Sequence, residues 1–246
     1  MKQTIIGISG RKGSGKNTLA TSISQECLRR FGKTPFECSF ADTLKQFCME
    51  TLGLSREQCY GTDDQKNSPT KYYWEDVEIY FRWKFGDRKF KNLSDNSEFS
   101  LEKDSINRLT FYKTLLDYEP VNIKCGKMSA RDILQLFGTE LVRETFGNVW
   151  AEATLRRIKT QGQWLSLITD VRFDNEVDAV LKQEFGYVIR LTRSPFGTKD
   201  THASEAALDN FDWNKDKCFV LDNRDLSVEE QNVKAKPIWE AIIGTT

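Results

Sequence analysis

The run GRKGSGKN at residues 10–17 restricts the fold more than any other stretch of this chain. A short apolar segment, residues 5–8, leads into it, and a helical pattern over residues 16–31 follows. A glycine-rich turn between strand and helix points successive backbone N–H groups inward, and with the helix N-terminus these cradle phosphate oxygens. Lys16 stands directly after Gly15, where its ammonium reaches the β- and γ-phosphates of a nucleotide. The run therefore reads as a P-loop with one departure. Asn17 takes the position where a serine or threonine hydroxyl usually meets Mg²⁺, with Thr18 next, so an amide oxygen is the donor in that place. A P-loop identifies phosphate binding and leaves the reaction open.

At 246 residues the chain accommodates one large α/β domain with a substantial insert. Lys plus Arg and Asp plus Glu number 36 each, which removes any overall field toward nucleic acid or an anionic membrane. Cys27, Cys38, Cys48, Cys59, Cys125 and Cys218 are scattered without a CxxC pair, and His202 is the sole histidine. That usage argues against a Cys/His zinc site and fits a reducing compartment. With a strand expected from residue 4, no leader is expected, and no apolar run reaches membrane-spanning length. The expected setting is cytoplasmic.

Strand patterns at residues 4–9, 35–40, 164–169, 187–192 and 217–221 alternate with helical patterns at 16–31, 42–52, 129–145, 174–185 and 227–243. This rhythm predicts a three-layer α/β fold, with a five-stranded, mainly parallel sheet covered by helices on both faces. Residues 54–127 break it and are expected to form a substrate-side insert in the single domain. Within it, residues 77–83 suggest a strand, Gly86-Asp87 a hairpin turn, and residues 92–104 a loop. Residues 81–91 mix five cations with four aromatics, which suits either a nucleic-acid surface or an amphipathic hairpin with a solvated cationic face.

Ligands of such sheets sit at the carboxyl ends of the strands, so the polar residues there are the candidates. Asp170, Arg172 and Glu176 follow the third strand; Arg172 and Glu176 share a helical face if the helix begins there. The bland alternative is a helix cap beside a surface ion pair. After the second strand, Asp42 reads as an N-cap and Lys45 as a cation in the first turn, opposing the helix dipole. Arg190 and Arg193 precede a glycine-containing stretch, and residues 193–206 read as a lid-like loop carrying His202 and Glu205. Arg131, Gly138, Thr139 and Arg143 lie in the 129–145 pattern, where the glycine implies close approach of a ligand or a neighbouring helix; Trp150 either stacks on a base or fills the core.

Taken in order, these pieces resemble the deoxynucleoside monophosphate kinases of tailed bacteriophages. The resemblance rests on the P-loop, Ala41-Asp42-Thr43-Leu44-Lys45, Leu134-Gln135-Leu136-Phe137-Gly138-Thr139, Trp150, the TDVRFDNE run at 169–176, Arg193-Ser194-Pro195, the HASE run at 202–205, and Asn223. It implies transfer of the γ-phosphoryl of ATP, with Mg²⁺, to a deoxynucleoside 5′-monophosphate, with no stable nucleic-acid or membrane partner and a homodimer left open. It implies that Gly13, Ser14, Gly15, Lys16, Asn17 and Thr18 hold the ATP phosphates and that Asn223 lies beside the adenine. Lys16, Asp170, Arg172 and Arg193 would be catalytic, with Asn17 and Asp170 toward the metal. Lys45, Arg131, Gly138, Thr139, Trp150, Asp170, Arg172, Glu176, His202 and Glu205 would form the monophosphate site. Family members often carry an acidic residue where Asn17 stands, and tend to have glycine where Arg224-Asp225 follow Asn223. Two other classes stay open: a P-loop kinase acting on a nucleoside or cofactor precursor, and a non-catalytic nucleotide-binding or nucleic-acid-binding module using the aromatic, basic insert.

Overall fold

Strand β1 (Thr4–Ser9) is buried along its whole length, as expected of a parallel strand covered on both faces. Its side chains alternate between two cores. Ile6 and Ile8 join Leu19, Ala20, Ile23 and Cys27 on one face of the sheet, and Ile5 joins Ile158, Val177 and Val180 on the other. The structure, a computed structural model, describes residues 2–74, 90–92, 98–99, 111–113, 120–121, 126–141, 148–195 and 206–244. They divide into two units, Met1–Phe47 with Gly138–Thr246, and Cys48–Phe137.

The first unit holds a five-stranded sheet in the order β11, β10, β1, β9, β2, every neighbouring pair parallel. Its strands are β1, β2 (Phe36–Cys38), β9 (Leu165–Val171), β10 (Gly186–Leu191) and β11 (Cys218–Leu221). Helices α1 (Lys16–Phe31) and α8 (Val228–Gly244) bury one face, and α6 (Val149–Gln161) and α7 (Asp174–Leu181) the other, giving the three expected layers. Helix α1 stops where Gly32 turns left-handed at φ 65°, its N–H bonding Leu28 O at 2.9 Å.

Strand order sets the site. From β1 the chain travels toward β2 on one side, whereas β9 feeds β10 on the other side of β1. The connections diverge at the carboxyl ends of β1 and β9, the place where open α/β sheets bind ligands. Several boundaries differ from the sequence reading. Strand β2 is three residues long, and α2 (Phe40–Leu52) starts two residues before Asp42. Strand β9 runs on through Val171, which puts Asp170 inside the strand.

The second unit, taken by itself, pairs β3 (Pro69–Tyr73) antiparallel with β8 (Lys127–Ser129). It also contains a four-stranded antiparallel sheet in the order β5 (Glu98–Phe99), β4 (Phe90–Asn92), β6 (Phe111–Lys113), β7 (Pro120–Val121). The loop expected over residues 92–104 therefore contains strand β5, whose two residues are too few to show a period. The strand expected at 77–83 and the turn at Gly86-Asp87 lie outside the described residues. Short helices α3 (Arg56–Tyr60) and α4 (Asp63–Lys66) each begin with a reciprocal capping box, Ser55 with Gln58 and Thr62 with Gln65. The single helix expected over 129–145 is instead α5 (Ala130–Gln135) followed by a π-helical turn, Leu136–Leu141. Among the described residues no helix is long and apolar enough to cross a membrane. Five cysteines are described, all as free thiols; burial pushes those of Cys38 and Cys48 up to about 12, far from reactive thiolates.

Candidate active site

The loop between β1 and α1 closes on itself. Ser14 N–H donates to Arg11 O at 3.1 Å, and Lys16 Nζ donates to Gly10 O at 2.7 Å and Arg11 O at 2.9 Å. The ammonium thus lies across the loop at the carboxyl end of β1, almost fully buried. Gly15 caps α1 at φ 98°, a left-handed conformation that disfavours any side chain. A Cβ there would also stand 2.6 Å from Gln231 Oε1. Asn17, in the first turn of α1, is exposed, and Thr18 is half-buried. The Ser14 hydroxyl points under the loop against Gly10 and has no hydrogen-bond partner among the described residues.

At the end of β9 the acidic residues hold backbone. Asp170 accepts the N–H of Phe40 at 2.7 Å through one carboxylate oxygen and that of Ala41 at 3.1 Å through the other. It anchors the first turn of α2, the helix after the neighbouring strand, where orphan N–H groups and the dipole favour an anion. Burial pushes its carboxyl above the usual carboxylate range, while Arg172, the two N–H groups and Lys45 pull the other way. Asp42 Oδ2 accepts Ser39 N–H at 2.8 Å, so Ser39 is the N-cap and Asp42 the third helical residue. Lys45 consequently sits in the second turn of α2.

Arg172 precedes α7 and shares no helical face with Glu176, contrary to the sequence reading. Glu176 is 2 % exposed, and its Oε2 accepts the N–H of Arg172 at 2.8 Å and of Phe173 at 3.3 Å. It fixes the strand-to-helix turn that presents Arg172.

Arg193 and Asn223 are joined at the ends of β10 and β11. Arg193 N–H donates to Asn223 Oδ1 at 2.9 Å, its Nε donates to Asn223 O at 3.0 Å, and its Nη2 donates to Leu226 O. Asn223 is completely buried and donates to Ser14 O of the P-loop at 2.8 Å. The Asn223 side chain, expected beside the adenine, is engaged by Arg193, by Ser14 of the P-loop and by Gln231.

The remaining candidates divide between the units. Gly138 lies against Leu44 of α2, where a Cβ would collide with Leu44 Cδ2, so the neighbouring helix accounts for the glycine. Trp150 is buried and donates from Nε1 to Gly138 O at 3.1 Å, which makes it a core residue with its polar atom satisfied. Arg131, in the second unit, is ion-paired with Asp63 at 2.6 Å. Thr139 falls in the π-helical turn at the edge of the described side chains, and Arg143, His202 and Glu205 lie outside the described residues, as do residues 196–205 of the expected lid.

Sequence reasoning missed the contacts made around the P-loop by Arg11 within it and by Asp209 and Gln231 from elsewhere in the chain. Arg11 is ion-paired with Asp209, which also stands 3.8 Å from Arg190; Arg190 in turn donates to Ser9 Oγ at 3.0 Å. Gln231 of α8, 1 % exposed, reaches Asn223 Nδ2 at 2.6 Å. No periodicity marks any of them. The nearest local signal is the glycine at position 15 itself, where a Cβ would meet Gln231.

A family model described as deoxynucleotide monophosphate kinase matches residues 4–231. A protein of Acanthamoeba polyphaga mimivirus, provisionally named a deoxynucleotide monophosphate kinase, is 29 % identical over 219 residues, which cover 83 % of this chain and 81 % of the viral protein.

Proposed function

The chain belongs to the deoxynucleotide monophosphate kinase family, and from that premise we propose that it transfers the γ-phosphoryl of Mg-ATP to a deoxynucleoside 5′-monophosphate, giving ADP and a deoxynucleoside diphosphate. The observation that carries this reading is the Lys16 ammonium lying across the P-loop at the carboxyl end of β1, beside β9, which carries Asp170 and leads into Arg172.

The acceptor is a phosphate oxygen, largely ionised at neutral pH because its second pKa is about 6. No general base is required. Catalysis then rests on alignment and on cations that meet the charge passing between donor and acceptor. Lys16 serves the β- and γ-phosphates, and Arg172 neutralises the transferred group. Arg193 takes the same part with the donors left over while its Nε and Nη2 stay on the carbonyls of Asn223 and Leu226. Lys45, on the helix that Asp170 anchors, serves the acceptor phosphate.

Among the described residues no cluster of three or more His, Cys, Asp or Glu side chains is placed to hold a metal. Mg²⁺ fits this site nonetheless, because it keeps several waters and binds mainly through nucleotide phosphates, so one or two protein donors suffice. The exposed Asn17 amide oxygen is the donor best placed on α1. Asp170 keeps lone pairs beyond those engaged by Phe40 and Ala41. When bound, the ion neutralises charge on the β- and γ-phosphates.

The test is ADP release from Mg-ATP with each deoxy- and ribonucleoside monophosphate in turn, scored against no acceptor. Turnover confined to deoxynucleotides supports the proposal. ATP binding with no acceptor-dependent ADP release across the panel refutes it.

A further inference from the structure

We infer that Asn223 and Gln231 are positioning residues that tie the P-loop to Arg193, so that the cradle for the donor phosphates and the arginine facing them move as one. The inference rests on the kinase reading above for the role of Arg193. Its geometric half stands on the contacts alone.

The two amides are 0 % and 1 % exposed, in a part of the fold where packing alone would be served by apolar side chains. Burying a primary amide is unfavourable unless its donors and acceptor are used. Asn223 uses them on three different elements. Its Oδ1 accepts Arg193 N–H at 2.9 Å; its Nδ2 donates to Ser14 O at 2.8 Å and to Gln231 Oε1 at 2.6 Å. The partners fix the orientation of the amide, since a flipped group would set its NH₂ against the Arg193 N–H and its oxygen against the Ser14 carbonyl. Only asparagine supplies one acceptor and two donors at this length; aspartate offers acceptors alone.

Beyond the last ladder pair, Leu191 with Leu221, side chains continue the zipper between the two strand ends. Thr192 Oγ1 donates to Asp222 Oδ1 at 2.7 Å, and the Arg193 guanidinium grips Asn223 O and Leu226 O. On the far side, Gln231 occupies the space left by the missing side chain of Gly15 and directs its Nε2 toward Gly15 O at 3.5 Å. The Ser14–Gly15 peptides are thereby held from below by α8 and by the turn after β11, and that turn also holds Arg193.

Steady-state kinetics with ATP varied, on wild type, Asn223→Asp, Gln231→Leu, Arg193→Ala, Asn223→Ala and the Arg193/Asn223 double-alanine variant, test the coupling. Asn223→Asp and Gln231→Leu are each expected to lower kcat/KM for ATP about ten- to a hundredfold, the scale of a small misplacement of catalytic groups. The double-alanine variant is expected to be no worse than its more severe parent, the non-additivity of residues acting as a unit. Losses that multiply, or a wild-type kcat/KM for ATP in both Asn223→Asp and Gln231→Leu, overturn the inference. Gln231→Leu, similar in volume, carries the test if Asn223→Asp fails to fold. Should wild type release no ADP with any acceptor, the kinase reading fails separately. ATP affinity, measured by titration, then decides the P-loop half: weakened binding in Gln231→Leu supports it and unchanged binding refutes it.

Discussion

Replacing Asp170 with alanine separates an anchor from a metal ligand. The carboxylate takes the N–H groups of Phe40 and Ala41 at 2.7 and 3.1 Å, and no other cap is bonded to those two donors among the described contacts. Deleting it leaves two orphan N–H groups at a helix start. A lost cap of this kind costs about 0.5–2 kcal/mol, and an unsatisfied buried donor about 1–3 kcal/mol. Both figures describe the same loss and are not added. Burial already works against the carboxylate's charge, and removing it returns part of that penalty. The expected destabilisation is therefore about 1–3 kcal/mol, or a fall in Tm of roughly 2–12 °C for a chain of this size. Calorimetry in EDTA without nucleotide is the assay, accompanied by hydrogen exchange at Phe40 and Ala41, whose amides are expected to lose protection. A group serving only a metal or substrate would behave oppositely, because removing such residues leaves stability unchanged or raises it. An unchanged or higher Tm in Asp170→Ala would refute the anchor. The pH dependence has a definite sign. With the folded-state pKa raised, the folded protein retains this proton to higher pH than the unfolded chain. The contribution is present in full below the unfolded pKa and is lost as pH rises through the folded one. Asp170→Asn is expected to remove that slope from a Tm-versus-pH series.

Lys16→Ala is expected to cost at least about a hundredfold in turnover, as loss of a preorganised charge at the transferring group does. Its melting temperature should stay close to wild type, and near-normal ADP release would remove the P-loop from the mechanism. Arg131→Ala and Asp63→Ala break the same partly exposed ion pair, so each should change stability by less than about 1 kcal/mol in denaturant melts. A rise in acceptor KM for the arginine variant alone would identify its guanidinium as a substrate contact, whereas equal KM values would leave it structural. Gly138→Ala forces Leu44 to move and should destabilise by about 1–3 kcal/mol, the usual range for overpacking. An unshifted urea midpoint would show that the Leu44 side chain swings aside freely.

What the sequence made readable follows the range of the interactions involved. The buried strands and the amphipathic helices declare themselves through periods of two and 3.6, which is why α1 coincides with its expected limits and the five parallel strands were countable. Capping boxes such as Ser55 with Gln58 are equally local, their partners three residues apart. The candidate site is written differently. Asp170 meets its partners 130 and 129 residues away, and Asn223 meets Ser14 at a separation of 209. No window on the sequence reports such pairs. Read locally, strand-end acidic and amide residues point to a ligand; in the fold Asp170, Glu176 and Asn223 also bond backbone. That outcome has a physical logic. Loops at the carboxyl edge carry backbone N–H and C=O groups that the sheet ladder no longer satisfies, and buried groups of that kind must be paired. Asp170, Glu176 and Asn223 pair them, which fixes the loop leading into Lys16 and the turns that carry Arg172 and Arg193. Polar residues at a strand end thus have two duties open to them, and burial separates these: a side chain at 0–2 % exposure with backbone partners, such as Glu176 or Asn223, holds the frame of the loops around it.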